Sequence, residues 1–314
     1  KGWREEKNDE LQVFGVRSTN TSSLPLSTDL TQREVSSFEQ LFRLHPQLGD
    51  RFSGLFKEQR QKINANFKDL DSLVDFFDKF NYEAFELIRH ERRFENHSKL
   101  HQTVHNYVEL NLYDDIWKQI TQLYRDDEIE ATYDYNLLKY IAISQVPTPF
   151  YPEKQSKFSL KKVTHFEKSL GQATDCFKRL TFSSSHSEKT KIIMDTLQTL
   201  TDYSEFPDAD IEDVTIDADT LIGLMVLVVC RSQVKNLKSH LFYLQNFSLD
   251  ENSIKFGVVA YALSTLEAVL CYFEDAENSG KIRSLEFNCR RNKQFWDHLS
   301  CKAVSLDSLK SYRD

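Results

Sequence analysis

Glycine and proline are so scarce in this chain, 8 and 6 among 314 residues, that a fold built on many tight turns is excluded. Sandwiches, barrels and phosphate-cradling loops use glycine wherever the backbone takes a positive φ. Long helices joined by few connections need little of either residue. The chain therefore reads as all-α. Its 40% hydrophobic and 12% aromatic content is ample for a packed core in one large or two modest domains.

Apolar residues recur at helical spacing through most of the length. Residues 1–31 are polar and interrupted by Asn20-Thr21-Ser22-Ser23 and Ser27-Thr28, so a flexible N-terminal segment is expected there. Val35, Phe38, Leu41 and Phe42 trace a helical face that His45-Pro46 breaks, and Leu48, Phe52, Leu55 and Phe56 resume it. From 62 to 93, a stripe through Ile63, Phe67, Leu70, Val74, Phe77, Phe85 and Ile88 predicts a long amphipathic helix, straight or kinked. Leu100, Val104, Tyr107, Val108, Leu112, Ile116, Trp117 and Ile120 predict another over 94–124. A helix over 133–144 is expected to end at Pro147 and Pro149, which force an extended connection. Beyond it, helices are predicted over 163–182, 190–203, 220–230, 239–247 and 257–275. The polar run Ser187-Glu188-Lys189 starts the second of these, and an acidic loop over 205–217 precedes the third. A mixed-charge tail holds Phe295-Trp296. The expected organisation is a flexible segment 1–31, a helical bundle 32–132, a core 133–276 and a C-terminal helical extension 277–314, with no repeat at a solenoid period.

A formal charge of −8 gives no general attraction to nucleic acid or to an anionic membrane surface, which need a cationic footprint. Cys176, Cys230, Cys271, Cys289 and Cys301 form no C-x-x-C pair, which predicts reduced thiols and a cytoplasmic setting, with the first three expected in the core. The longest apolar run, 221–230, is far short of the roughly 20 residues a bilayer requires. A start at Lys1 rather than Met is expected of a piece of a longer protein.

His97, His101 and His105 stand four residues apart and span about 12 Å of helix, too far for one metal ion. A solvated face is the expectation, and no metal. The stretch from Asp208 to Asp217 lacks the glycine and regular oxygen spacing of a calcium loop. No Gly-x-Ser-x-Gly, His-Glu-x-x-His or Walker string occurs, so nothing supports covalent catalysis.

Two strings carry the functional information. Asp217-Ala218-Asp219-Thr220 runs straight into the apolar block 221–230, so an acidic pair caps a buried helix. Gly257-Val258-Val259-Ala260-Tyr261-Ala262-Leu263-Ser264-Thr265-Leu266 opens a second helix at a glycine, with Tyr261 and Ser264 one turn apart. Together they resemble the core of the vacuolar-protein-sorting-nine (Vps-nine) domain, the guanine-nucleotide exchange factor for Rab-five-class endosomal GTPases. Val108-Glu109-Leu110-Asn111-Leu112-Tyr113-Asp114-Asp115-Ile116-Trp117 resembles that family's bundle-to-core helix, and residues 187–197 resemble the helix before its acidic finger. The likeness spans about 94–273. Tyr243-Leu244-Gln245-Asn246-Phe247 and Ala262-Leu263-Ser264-Thr265-Leu266-Glu267-Ala268 are most similar to the branch typified by Varp.

The resemblance implies an all-helical layered core behind a helical bundle. It also implies a Rab-five-class GTPase as partner, peripheral association with endosomes, and no cofactor beyond the GTPase's own nucleotide and Mg²⁺. Asp219 matches the acidic finger that displaces phosphate and metal, and Tyr261 matches the tyrosine that contacts the finger and the switch region. Ser264 stands where threonine is usual. Gly223, Leu224, Met225, Leu227, Val228 and Thr265 are expected to form the groove that receives the GTPase's switch aromatics. Departures from the pattern lie at Gly223 in place of proline, at Ala262 in place of a second tyrosine, and at Val258-Val259 in place of an acidic pair. They leave a second reading, an exchange-inactive scaffold that tethers a GTPase or another trafficking protein.

Overall fold

The computed structural model describes residues 38–64, 67–89, 100–127, 139–141, 160–202, 218–249 and 256–275, together with Arg290 and Lys293. Segment 1–31, loop 205–217 and Phe295-Trp296 lie outside the described residues. Of the predicted helix 133–144 only residues 139–141 are described, and they form no helix. Among the described residues there is no strand, and the fold is all-α. After a helical turn at 38–44 come α1 (Pro46–Asn64), α2 (Leu70–Arg89), α3 (Leu100–Leu123), α4 (Leu160–Lys178), α5 (His186–Thr201), α6 (Ala218–Ser232), α7 (Leu237–Asn246) and α8 (Gly257–Glu274). A 3₁₀ turn, Arg179–Phe182, follows α4.

The chain divides into two compact units. Unit 1 comprises Lys1–Glu128, Phe182–Met194 and Asn236–Leu263, and unit 2 comprises Ile129–Thr181, Asp195–Lys235 and Ser264–Asp314.

In unit 1 the break at His45-Pro46 falls where the sequence places it. His45 N–H still donates to Leu41 O at 2.8 Å, while His45 O accepts from Leu48 N at 3.0 Å and Gly49 N at 3.1 Å. Pro46 thus opens α1 at the position where its missing N–H leaves nothing unsatisfied. A side chain at position 49 would bring Cβ within 3.1 Å of Phe42 Cβ, so glycine there lets the preceding turn pack close on α1. The predicted single helix over 62–93 is corrected to two. Asp69 Oδ1 accepts from Ser72 N at 2.8 Å, a cap that starts α2 afresh at Leu70 and outweighs the continuous apolar stripe. Leu73, Phe77, Phe80, Ala84 and Ile88 of α2 are buried with Val104, Val108, Leu112, Ile116 and Ile120 of α3 in one core. Tyr243 and Phe247, which stack at 5.0 Å and 9°, join that core from α7 and the residue after it.

In unit 2 the chief pairing is α4 with α6. Leu170, Ala173 and Phe177 of α4 are buried, as is every residue of α6 except Ala218, Asp219, Ile222 and Arg231.

Candidate functional site

An apolar helix buried on nearly all sides has few ways to end, and α6 keeps its polar groups for its two termini. At the C-terminal end Arg231 donates to Glu167 from Nη1 at 2.7 Å and from Nη2 at 3.3 Å, and from Nε to Ile141 O at 3.1 Å. This bidentate pair and carbonyl clamp fix the helix within unit 2. At the other end Asp219 occupies the first turn and is exposed, while its neighbours Thr220 and Leu221 are each 2% exposed. A carboxylate at a helix N-terminus is favoured by the amide dipoles behind it. Asp219 is therefore a fixed surface charge on an otherwise buried rod. Asp217 lies outside the described residues.

The groove expectation requires correction at this helix. Leu224 is 1% exposed, and Met225, Leu227 and Val228 are 0% exposed, so these side chains are core and present no surface to a partner. Their apolar character is absorbed by the packing of unit 2. Gly223 is buried as well.

Gly257 opens α8 as expected, at φ +83°. Nothing lies within 4 Å of a Cβ placed there, so the glycine is held by backbone conformation and not by space. Gly257→Ala is expected to lower stability by about 1 kcal/mol, read as a shift in the urea midpoint with an unchanged denaturant slope. Along α8, Ala262, Leu263, Thr265, Leu266, Val269, Leu270 and Phe273 are buried, whereas Ser264, Glu267, Cys271 and Glu274 are exposed. Tyr261 is half-buried. Tyr261 belongs to unit 1, and Asp219, Ser264 and Thr265 to unit 2. Thr265, at 6% exposure, is core and not groove surface. The longest uninterrupted apolar run is 221–230, but α8, with 18 residues and a mean hydropathy of 1.3, is by length and composition apolar enough to cross a membrane. Its buried stripe at spacings of three and four is equally that of a core helix.

Unit 1 holds a buried polar cluster that the sequence reading missed. Glu109, 3% exposed, accepts from Tyr243 Oη at 2.6 Å and from the backbone N–H of His186. Lys189, 0% exposed, donates from Nζ to Ser183 O at 2.7 Å and Ser183 Oγ at 3.3 Å, and lies 3.2 Å from His240 Nδ1. Its ammonium sits 4.8 Å from the Trp117 ring centroid and 5.2 Å from that of Tyr113, a cation–π setting that replaces part of its lost hydration. Tyr113 donates to Ser183 O at 3.1 Å, and His186 Nε2 lies 2.8 Å from Leu244 O. Burial pushes the Glu109 carboxyl up to about 7 and the Lys189 ammonium down to about 7. Burial also holds His240 well below the ordinary histidine range, and His186 below it. The signal was available: Glu109 follows Val108 and precedes Leu112 on the apolar stripe of α3, where a surface glutamate does not belong.

The histidine face is corrected too. His101 is exposed and packs edge-on against Phe85 at 5.0 Å, but His105 is 5% exposed, 5.6 Å from Phe77, with burial as the chief cause of a pKa of about 4. His97 lies outside the described residues. Among the described residues no three His, Cys, Asp or Glu side chains are placed to hold a metal ion. Of the cysteines expected in the core, Cys230 is buried and Cys176 half-buried, while Cys271 is exposed because it falls on the open face of α8. Cys289 and Cys301 lie outside the described residues.

Both helices that bear the candidate residues fall inside one family match. Residues 170–278 match the vacuolar sorting protein 9 (VPS9) domain, and residues 16–125 match the UPF0507 helical domain. The chain is 38% identical to a UPF0507 protein of Saccharomyces cerevisiae (strain YJM789) over 98% of this chain and 29% of that protein. It is 33% identical to a UPF0507 protein of Kluyveromyces lactis over 92% of this chain and 26% of that protein. A UPF0507 protein of Scheffersomyces stipitis is 29% identical over 91% of this chain and 26% of its own length. The chain spans less than a third of the length of each of these relatives. It carries a VPS9 domain over residues 170–278, preceded by a UPF0507 helical domain over residues 16–125.

Proposed function

We propose that this chain is a guanine-nucleotide exchange module for a Rab-five-class GTPase, with Asp219 as its acidic finger. A VPS9 domain implies a small GTPase as partner and exchange as its activity. The observation that carries the residue assignment is the exposure of Asp219 at the tip of a helix whose next residues are buried and whose far end is clamped by Arg231. A GTPase holds its nucleotide through a P-loop lysine, backbone donors and Mg²⁺, all of which favour anionic phosphate. A rigidly presented carboxylate competes for the lysine and repels the phosphates. Tyr261 and Ser264 supply contacts from α8, the tyrosine with both ring and hydroxyl. The Rab-five preference and the endosomal setting follow from the resemblance of the two strings, the kinship with the Varp branch from residues 243–247 and 262–268, and the cytoplasmic setting from cysteines that form no C-x-x-C pair; all are part of this proposal.

An exchange factor must bind the nucleotide-free GTPase more tightly than either loaded form, since a partner with equal affinity for all states shifts nothing. Gel filtration of this chain with a Rab-five-class GTPase in three loading states is the test. The complex is expected when EDTA strips the metal, and it is expected to dissociate on addition of Mg²⁺ and GTP. The scaffold alternative draws on buried Gly223 within α6 and on Val258-Val259, and predicts retention with GTP only. That result would overturn the exchange reading.

A further inference from the structure

Unit 1 carries a groove that the exchange reading does not use. It lies between the helical turn 38–44, α1 and α3, has a volume of about 700 Å³, and includes no acidic residue among its lining side chains. Its floor is aromatic. Phe42, Phe52, Phe56 and Tyr107 stand with ring centroids 5.0 to 6.3 Å apart. The floor is recessed: its reachable rings are the half-buried Phe42 and Tyr107, and Phe52, 1% exposed, and Phe56, 8% exposed, are core beneath them. The lining also includes three cations, Arg43, Lys57 and Arg60. Arg60 is fixed by its bond from Nη2 to Asn111 O at 2.7 Å and by Asp115 Oδ2 at 3.3 Å from Nε. Arg43 and Lys57 are exposed, and no ion pair engages either among the described residues.

In a chain with 48 acidic and 40 basic residues, an opening that presents Arg43 and Lys57 in no ion pair among the described residues, beside an Arg60 paired with Asp115, selects its partner by charge. We propose that this groove docks an acidic peptide segment of a partner protein, its carboxylates on Arg43, Lys57 and Arg60 and one bulky apolar side chain on the aromatic floor. A bilayer is disfavoured because a planar surface cannot reach a recessed floor, whereas a side chain can. A bare inorganic anion would leave Phe42 and Tyr107 unused. Arg60, held from Nη2 by Asn111 O and from Nε by Asp115, keeps Nη1 to donate to a further carboxylate. Leu44, 69% exposed beside Arg43, extends the apolar contact beyond the groove.

The test is panning of a random dodecapeptide phage library on the immobilised 314-residue chain, with counterselection on the Arg43→Glu/Lys57→Glu double variant. Both positions are exposed, and the variant's melting temperature confirms that it folds. The expected winners combine two or more Asp or Glu residues with a Phe, Leu or Trp. In anisotropy titrations their affinity should drop at least tenfold in the double variant and fall with added salt. Asp219→Ala should bind them as wild type does, which separates this site from the exchange reading. No enrichment, winners without acidic residues, or equal affinity for the double variant would each overturn the proposal. Binding to phosphatidylserine vesicles that is lost in the double variant would overturn it in favour of a membrane.

Discussion

GDP release from a Rab-five-class GTPase is expected to slow at least a hundredfold when Asp219 is replaced by alanine, with the melting temperature of the chain nearly unchanged. The size follows from the proposed role. A carboxylate about 4 Å from a lysine ammonium at an effective dielectric of about 20 is worth about 4 kcal/mol, and each 1.4 kcal/mol is about a factor of ten in rate. The small effect on stability follows from the position. Asp219 is exposed and in the first turn of α6, so removing it forfeits a helix-dipole interaction of about 0.3–1 kcal/mol, while the buried length of the helix and the Arg231–Glu167 clamp remain. Asp219→Asn separates shape from charge, and it should be as slow as alanine if charge is the agent. Fluorescent-GDP release measured with wild type and both variants decides it. Equal rates at matched melting temperatures would remove Asp219 from the mechanism.

What was legible in the sequence is what local chemistry dictates. The apolar spacing and the rarity of glycine and proline gave helices, His45-Pro46 gave a break, and Gly257 gave a helix start. The acidic pair before 221–230 gave a helix with an exposed acidic end. Tertiary packing was less legible. The stripe through Ile63, Phe67, Leu70 and Val74 hid the start of α2 because a cap at Asp69 competes locally with a periodicity that is read over many residues. Leu224, Met225, Leu227 and Val228 read as a partner-binding groove because composition does not distinguish an apolar residue that faces a partner from one that faces its own core. Charged residues misled in the opposite direction. Glu109 and Lys189 belong to sequence classes found mostly at surfaces, and His105 to one of intermediate burial; each is buried here because helices distant in sequence bring partners to it.

The stability of the chain is expected to pass through a dip near neutral pH, and the buried pair Glu109 and Lys189 is its source. Glu109 is raised from 4.5 to about 7, chiefly by burial, against the bonds from Tyr243 and His186 and the attraction of Lys189. The folded state therefore holds this proton where the unfolded chain has released it, so the contribution is complete below pH 4.5 and is lost as pH rises to about 7. Lys189 is lowered from 10.5 to about 7, again chiefly by burial. Here the unfolded chain binds the extra proton, so stability rises with pH between about 7 and 10.5. Glu109→Gln keeps an acceptor for Tyr243 and should abolish the falling limb, and Lys189→Met should abolish the rising one. Buried His105, His186 and His240, all lowered by burial, slope upward with pH in the acid range, so the difference between wild type and each variant is the quantity to read. Glu109→Ala carries the larger penalty. It strands the Tyr243 hydroxyl and the His186 N–H in the interior at about 1–3 kcal/mol each, a large part of the 5–15 kcal/mol that holds a typical domain together. Urea unfolding of wild type and the three variants across pH 5–9 measures both effects. A wild-type profile parallel to that of Glu109→Gln from pH 5 to 7 would show that the carboxyl titrates as it does in the unfolded chain, and the buried cluster would then not set the pH response.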